Sequence, residues 1–352
     1  MNQDDLTERQ TDDELPLVIG IDLGGTQIRT AVLQGGKLLS RISLLCGENG
    51  TPERIIPRMF QSVEQALQAA GVPLQQIAGI GIGAPGPLNS HTGIVYCPPN
   101  LPGWENVPLR ALFTDHFERP TYLENDANVA ALAESLFGAG RGSNELVYLT
   151  VSTGIGGGII SNGKIIEGIR GTAGELGHMT IDLHGERCNC GNIGCLEALA
   201  SGTAIARQAN RAIASGQGEE LLAYAFQQQK EAETAGESAE SIDAHRHVNA
   251  SMVAKAAQAG IPLAKEIIAQ AARALGFGLV NVIHIFNPEI IILGGGVTQM
   301  GELLLAPARH IVETRAMQIP RESARIVMAE LGSDVGLIGA GALHYYYQNG
   351  RR

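Results

Sequence analysis

The chain has 352 residues, 44% of them hydrophobic, and a net charge of −11; this is length for two domains with real cores, and it excludes a disordered chain. An acidic balance of this size argues against nucleic acid or an anionic membrane as partner, since both call for a basic surface, while an anionic small ligand remains open if backbone N–H groups and a divalent cation receive it. No apolar run approaches the roughly 18 residues of a membrane span, and five cysteines do not make a secreted disulfide framework, which points to a reducing cytoplasm.

Residues 1–16 open polar and acidic, unlike a signal peptide, and read as a mobile tail. "PLVIGID" (16–22) is a β-branched strand ending in a carboxylate. "LGGT" turns the chain into a second strand over 27–33, and "QGGK" marks a hairpin into a third over 38–44. A Pro-started helix is expected near 52–70, then a buried strand in "IAGIGIGAPGP". "RPTYLEND" is a further strand that runs into a helix, where Val129, Leu132, Ala133 and Leu136 keep helical spacing and Gly138 stops it.

The opening pattern then recurs. "ELVYLTVSTGIGGGIISNGKIIEG" is again strand, glycine turn, strand, hairpin, strand; aligning "GGK" (35–37) with "NGK" (162–164) brings "IDLGGT" close to "TVSTGIG". Such a duplication suggests two related α/β lobes. Residues 215–250 are richer in Gln, Glu, Ser and Ala, and "EAETAGESAES" (231–241) reads as a solvated loop or insertion. A helical pattern follows from 252 to Asn287-Pro288, then the strand "EIIILGGGV" and a closing helix in "GSDVGLIGAGALHYYYQ".

Three glycine turns end strands, at 22–26, 152–158 and 293–297. Each lets N–H groups converge without a Cβ in the way, and a nucleotide held by them explains the set better than three unrelated hairpins. Asp22 sits at the first turn; it either caps that turn or, if phosphates bind there, faces a hydrated Mg²⁺. Asp126 starts a helix directly after a strand, as an N-cap or as a base aimed at a hydroxyl in phosphoryl transfer.

Three of the five cysteines fall within "CNCGNIGC" (188–195). With His178 they give H-x₉-C-x-C-x₄-C, a closed four-ligand set suited to structural Zn²⁺, with Gly191 and Gly194 allowing a tight loop. Glu175 and Glu197 flank that loop as rigidly presented carboxylates, which recognition of a polyol would use. Cys46 and Cys97 have no companions and read as packing residues.

These strings, with "PPNLPGW", "LENDANVAALAE" and "GELGHM", occur in order over about residues 17–345 and resemble the ROK family of sugar kinases and repressors, most of all its bacterial glucokinases. The resemblance implies a two-lobed actin-like ATPase (ribonuclease H-like) α/β fold: a small lobe over 17–125 joined by the C-terminal helix 335–352, and a large lobe over 126–334 carrying the zinc loop 178–195. It implies that Asp22, Gly24, Gly25, Thr26, Thr153 and Gly154 hold ATP phosphates and that Gly294, Gly295 and Gly296 lie against the adenosine. Asp126 would take the proton from a sugar 6-hydroxyl. Gly83, Asn100, Asn125, Glu175, His178 and Glu197 would bind the sugar, with His178 also joining Cys188, Cys190 and Cys195 on Zn²⁺. The expected activity is ATP-dependent, Mg²⁺-assisted phosphorylation of D-glucose, with N-acetylmannosamine, N-acetylglucosamine or fructose as alternative substrates, polyphosphate as an alternative donor, and a non-catalytic sugar-responsive regulator as the remote alternative. A dimer or tetramer is implied. The family's repressors carry an N-terminal helix-turn-helix, for which about 16 residues ahead of the first strand are too few.

Overall fold

The computed structural model describes residues 14–47, 50–235 and 247–348; the expected tail falls mostly outside them. Strand β1 (Leu17–Leu23) turns through Gly24 and Gly25 into antiparallel β2 (Gln27–Gln34), with Asp22 directly opposite Arg29. The expected third strand is two pieces, β3 (Lys37–Leu38) and β4 (Ile42–Leu45), both on β2. Between them the Val32 carbonyl accepts from the N–H groups of both Leu39 and Ser40 (2.8 and 3.4 Å). That is a β-bulge, two residues facing one, and it interrupts the ladder.

Helix α1 (Pro52–Ala70) begins on proline and ends on left-handed Gly71, as the punctuation in the sequence requires. Its Ile55, Met59, Val63 and Ala66 recur on one turn-spaced face and are buried. Strand β5 (Gly79–Ala84), the short hairpin β6 (Leu88–Asn89) and β7 (Ile94–Val95), helix α2 (Leu109–Phe117) and strand β8 (Thr121–Asn125) follow. Strands β1, β5 and β8 are parallel neighbours in a sheet ordered β3–β2–β1–β5–β8.

Helix α3 (Asp126–Phe137) starts where β8 ends. The second copy of the hairpin unit is β9 (Leu146–Val151), β10 (Ile155–Ser161) and β11 (Lys164–Ile165), in a sheet ordered β11–β10–β9–β12 (Ile290–Gly294)–β13 (Arg325–Met328). After it come α4 (Leu196–Ala200), α5 (Gly202–Ala214), α6 (Glu219–Ala235), α7 (Ala250–Gln258) and α8 (Pro262–Phe286), then β12 (Ile290–Gly294), α9 (Glu302–Arg315), α10 (Gln318–Ser323), β13 (Arg325–Met328) and α11 (Val335–Gln348).

Two expectations in this half need correction. Residues 219–235 form a helix that takes in the start of the suspected loop, because Leu221, Leu222 and Ala225 give it a buried side and Gln–Glu pairs four apart support its exposed one (Gln227–Glu231 and Gln229–Glu233, both 2.8 Å); the remainder of that loop, 236–241, lies outside the described residues. The long helical pattern from 252 is two helices. Gly260, at φ 102°, and Pro262 at the first position of α8 break it, and Asn287 ends α8 in the left-handed conformation as expected.

The chain divides into two compact units. The first comprises Met1–Tyr148, Gly158–Gly174 and Ala329–Arg352, the second Leu149–Gly157 and Glu175–Met328. The expected break after residue 125 is therefore displaced: α3 stays with the first unit, as α11 does. The reason is close packing of small residues. A Cβ on Gly81 of β5 would stand 1.7 Å from the Ala340 carbonyl oxygen of α11, and one on Gly339 of α11 would stand 2.0 Å from that of Val129 on α3. Glu134, fully buried on α3, adds polar fixation by accepting backbone N–H groups from Ala139 (2.9 Å), Glu330 and Leu331 (both 3.0 Å). In the second unit α8 is the core helix, packed by α9, α7, α4 and α5. Among the described residues it is the one helix long and apolar enough to cross a bilayer, and it is mostly buried within the protein.

Candidate active site

In the first unit the candidate residues gather at the carboxyl ends of three parallel strands, the usual ligand edge of such sheets. Asp22 on β1 lies beside Gly83 on β5, which lies beside Glu124 on β8, with Asn125 next along. Asn125 is the N-cap of α3: its side chain accepts the Ala127 N–H at 2.9 Å, and Asp126 Oδ1 accepts the same N–H at 2.8 Å. Cap and candidate base are thus different residues, and Asp126 is exposed. A Cβ on Gly86 would meet the Asn125 amide nitrogen at 3.3 Å, so the turn after β5 passes close to this side chain.

The "DLGGT" turn is held by Gly24 N–H to the Gln27 carbonyl (2.9 Å) and by Cys46, whose N–H donates to Thr26 (2.8 Å) and whose thiol donates to the Gly24 carbonyl (3.3 Å). Burial pushes that thiol up from its usual range. Asn100 approaches the turn: a Cβ on Gly25 would lie 3.1 Å from the Asn100 Cβ. Its loop is fixed by buried Trp104, which donates to the Gly50 carbonyl at 3.0 Å. Cys97, expected to be a packing residue, is exposed on the irregular segment after β7.

Asp22 Oδ2 is paired with Arg29, which also donates to the Ser333 carbonyl at 2.7 Å. Arg29 escaped the sequence reading, although hairpin register alone places it opposite Asp22. A buried carboxyl and its half-buried neighbour were also missed. Glu124 precedes Asn125 in the chain and is fully buried; burial, and next the Glu167 carboxyl, push it up to about 8. Nothing in local sequence pattern marks Glu167 as its neighbour.

In the second unit the four proposed metal ligands converge. One donor atom from each of His178, Cys188, Cys190 and Cys195 lies within 4.8 Å of all the others. Cys190 Sγ and Cys195 Sγ are 3.7 Å apart, and Cys188 Sγ is 3.6 Å from His178 Nδ1. Tetrahedral zinc with bonds of about 2.3 Å to sulfur separates its ligands by about 3.8 Å, so the donor set fits Zn²⁺ with Nδ1 inward. Gly194 makes the tight return possible: its φ is 68°, and a Cβ there would fall 1.6 Å from the Asp182 carbonyl oxygen. Burial pushes the Cys195 thiol up to about 12, a thiol that metal binding would have to deprotonate. His178 Nε2 faces Glu175, 3.8 Å from its Oε2, and Glu175 is exposed.

Glu197 reaches the glycine turn of this unit. Its Oε2 accepts the Ile155 N–H at 2.9 Å, inside the "STGIG" turn. That turn is also bound by the start of α5, where Gly202 N–H donates to Ser152 (2.7 Å) and the Thr203 hydroxyl to Thr153 (2.8 Å). Thr153 is exposed and Gly154 half-buried. Gly295 passes against β9, where a Cβ would lie 2.4 Å from the Val151 carbonyl oxygen, while Gly294 is buried and Gly296 open to solvent.

Residues 18–346 match the ROK family model. The chain is a member of the ROK family. It is 36% identical to a glucokinase of Thermotoga maritima over 93% of this chain and 96% of that one. It is 32% identical to a putative xylose repressor of Caldicellulosiruptor sp., over 93% of this chain and 77% of that protein. A solved ROK family glucokinase of Streptomyces griseus, in complex with glucose and AMPPNP, superposes with a TM-score of 0.75 at 33% identity, covering 93% and 98% of the two chains. The fold is the actin-like ATPase fold of ROK proteins, and the paired hairpin units seen in the sequence are the corresponding strands of its two sheets.

Proposed function

We propose that this ROK protein transfers the γ-phosphoryl group of ATP to the 6-hydroxyl of a hexose, D-glucose in the first place. The observation that carries the reading is Asp126: an exposed carboxylate on the first residue of α3, at the carboxyl ends of three parallel strands, with its neighbour Asn125 already serving as the helix cap. This carboxylate, exposed and with Oδ1 on the Ala127 N–H, would serve as the base for the sugar hydroxyl. By the family resemblance, Gly83, Asn100, Asn125, Glu175, His178 and Glu197 would bind the sugar.

Phosphates would be received by the Gly24–Thr26 turn and by Thr153 and Gly154, with adenosine against Gly294, Gly295 and Gly296. Asp22, paired with Arg29 through Oδ2, would hold Mg²⁺ through its waters, since Mg²⁺ usually keeps several; that ion would supply charge neutralisation. Zn²⁺, held by His178, Cys188, Cys190 and Cys195, would supply loop rigidity. Glucose is favoured by the similarity to glucokinases at about this level along nearly the whole chain, and a regulator by the similarity to repressors.

The test is coupled ADP release with Mg-ATP over glucose, mannose, fructose, N-acetylglucosamine and N-acetylmannosamine. A dominant rate with glucose is expected. A dominant rate with an N-acetylated sugar moves the specificity and keeps the reaction; silence across the panel with zinc verified present favours the regulator.

A further inference from the structure

We propose that Glu124 is a positioning residue that acts as a neutral acid, sharing one proton with Glu167 and so holding the Asn125–Asp126 turn in its working geometry. The proposal rests on the reading of Asp126 as the base. Glu124 is fully buried at the end of β8. Its Oε1 accepts the Asn125 N–H at 2.8 Å and the Asn128 side-chain amide at 3.0 Å, so it fastens the backbone entering α3 to the first turn of that helix. Its Oε2 is buried, and no donor among the described residues reaches it. A buried oxygen left without a donor is costly, and the neighbouring Glu167 carboxyl, next after burial, raises Glu124. A proton on Glu124, donated to Glu167, supplies what is missing.

The surroundings give Glu167 the donors that Glu124 Oε2 lacks. It follows β11 and accepts the Ser90 hydroxyl at 3.0 Å and the Tyr347 hydroxyl at 3.1 Å, while His91 Nδ1 stands 3.4 Å from its other oxygen. His91 is largely exposed. Arg110 spends its two terminal nitrogens on the Ser90 and His91 carbonyls. No cation pairs with Glu124 among the described residues. Tyr347, on α11, is pushed upward by burial and by both carboxyls, so it remains a donor; its ring stacks on Tyr122 of β8, which in turn meets His344 edge-on. His344 is lowered by burial and stays neutral. Two carboxylates in this space would repel; one proton between them makes a fixed bridge. Burial holds Glu124 protonated to about pH 8, and above that the anchor on the Asn125 N–H is strained by like charges.

The test compares wild type, Glu124→Gln and Glu124→Ala. Infrared titration of wild type should show the carbonyl stretch of a protonated carboxyl at neutral pH that disappears above about pH 8 and is absent from Glu124→Gln. Glutamine keeps the acceptor and supplies a donor without titrating. Glu124→Gln should therefore stay within about threefold of wild-type kcat and lose the alkaline decline, whereas Glu124→Ala should lose about tenfold or more in kcat with a smaller change in sugar KM. A wild type with no protonated-carboxyl band overturns the proposal whether or not the variants fold. So does a Glu124→Gln enzyme that keeps the alkaline decline or is as impaired as Glu124→Ala. A wild type that phosphorylates no sugar instead overturns the reading of the activity, and the infrared result still decides the shared proton.

Discussion

Glu197 Oε2 accepts the Ile155 N–H at 2.9 Å, which ties two features that the sequence presents forty residues apart. Glu197 lies in the first turn of α4, which starts directly after the metal-ligand candidate Cys195; Ile155 lies in the glycine turn proposed for phosphates. The position of that turn is thereby referred to the cysteine loop, within one compact unit.

Gly154 is where this relationship is most easily disturbed. A Cβ there would stand 2.5 Å from Glu197 Oε2, closer than nonbonded atoms tolerate, so Gly154→Ala must move either the turn or the carboxylate. The expected result is a rise of about tenfold in KM for ATP, about 1.4 kcal/mol, with the fold retained. Kinetics over ATP concentration at saturating sugar check it, and an unchanged KM for ATP would detach Glu197 from the nucleotide turn.

Zinc removal should act on the same unit. Cys190→Ala leaves three ligands, and structural zinc contributes folding energy directly. The variant, or wild type treated with a strong chelator, is expected to lose bound zinc, melt at least about 5 °C lower and bind sugar more weakly. Metal analysis and melting curves on the same samples check this. An unchanged melting temperature after verified metal loss would make the cluster dispensable to the fold.

What the sequence revealed and what it hid follow from the range of the forces involved. The hairpins at 22–27 and 161–164, the stop at Gly138 and the stop at Asn287 are local backbone preferences, and all were legible. The metal cluster was legible because three of its ligands fall within one short loop. The break between α7 and α8 was written in Gly260 and Pro262 but hidden by an apolar period that continues across it. Helix α6 was hidden by its polar exposed side. Glu124, Glu167 and Tyr347 come together only when β8, the segment after β11 and α11 are assembled, and no local spacing encodes that meeting. Asp22 and Arg29 lie between these cases: their pairing follows from β1–β2 register once the turn is known.

Asp126→Ala tests the chemistry with little disturbance of structure, since Asn125 keeps the cap of α3 and Asp126 is exposed. Loss of a general base costs about 10²–10⁴-fold in rate, and the expected change is of that order in kcat, with sugar affinity within a few-fold of wild type. Steady-state turnover together with calorimetric sugar binding checks it. Near-normal turnover would assign the base elsewhere.

Stability should carry the signature of Glu124. Its ordinary value of 4.5 is raised in the folded protein to about 8, chiefly by burial. Between those values the folded state holds a proton that the unfolded chain has released, so the protons bound on unfolding decrease and stability falls as pH rises through that window. Its contribution is complete below about 4.5 and lost above about 8. Glu186 has the opposite sign, held low by its hydrogen bond to Arg211, and it is common to wild type and to Glu124→Gln, as are the thiols of the metal loop. The difference between the two proteins therefore isolates Glu124. Urea midpoints measured in parallel from about pH 5 to about pH 8 should decline more steeply in wild type than in Glu124→Gln. Parallel pH profiles would show that Glu124 is already ionised in the folded protein at neutral pH.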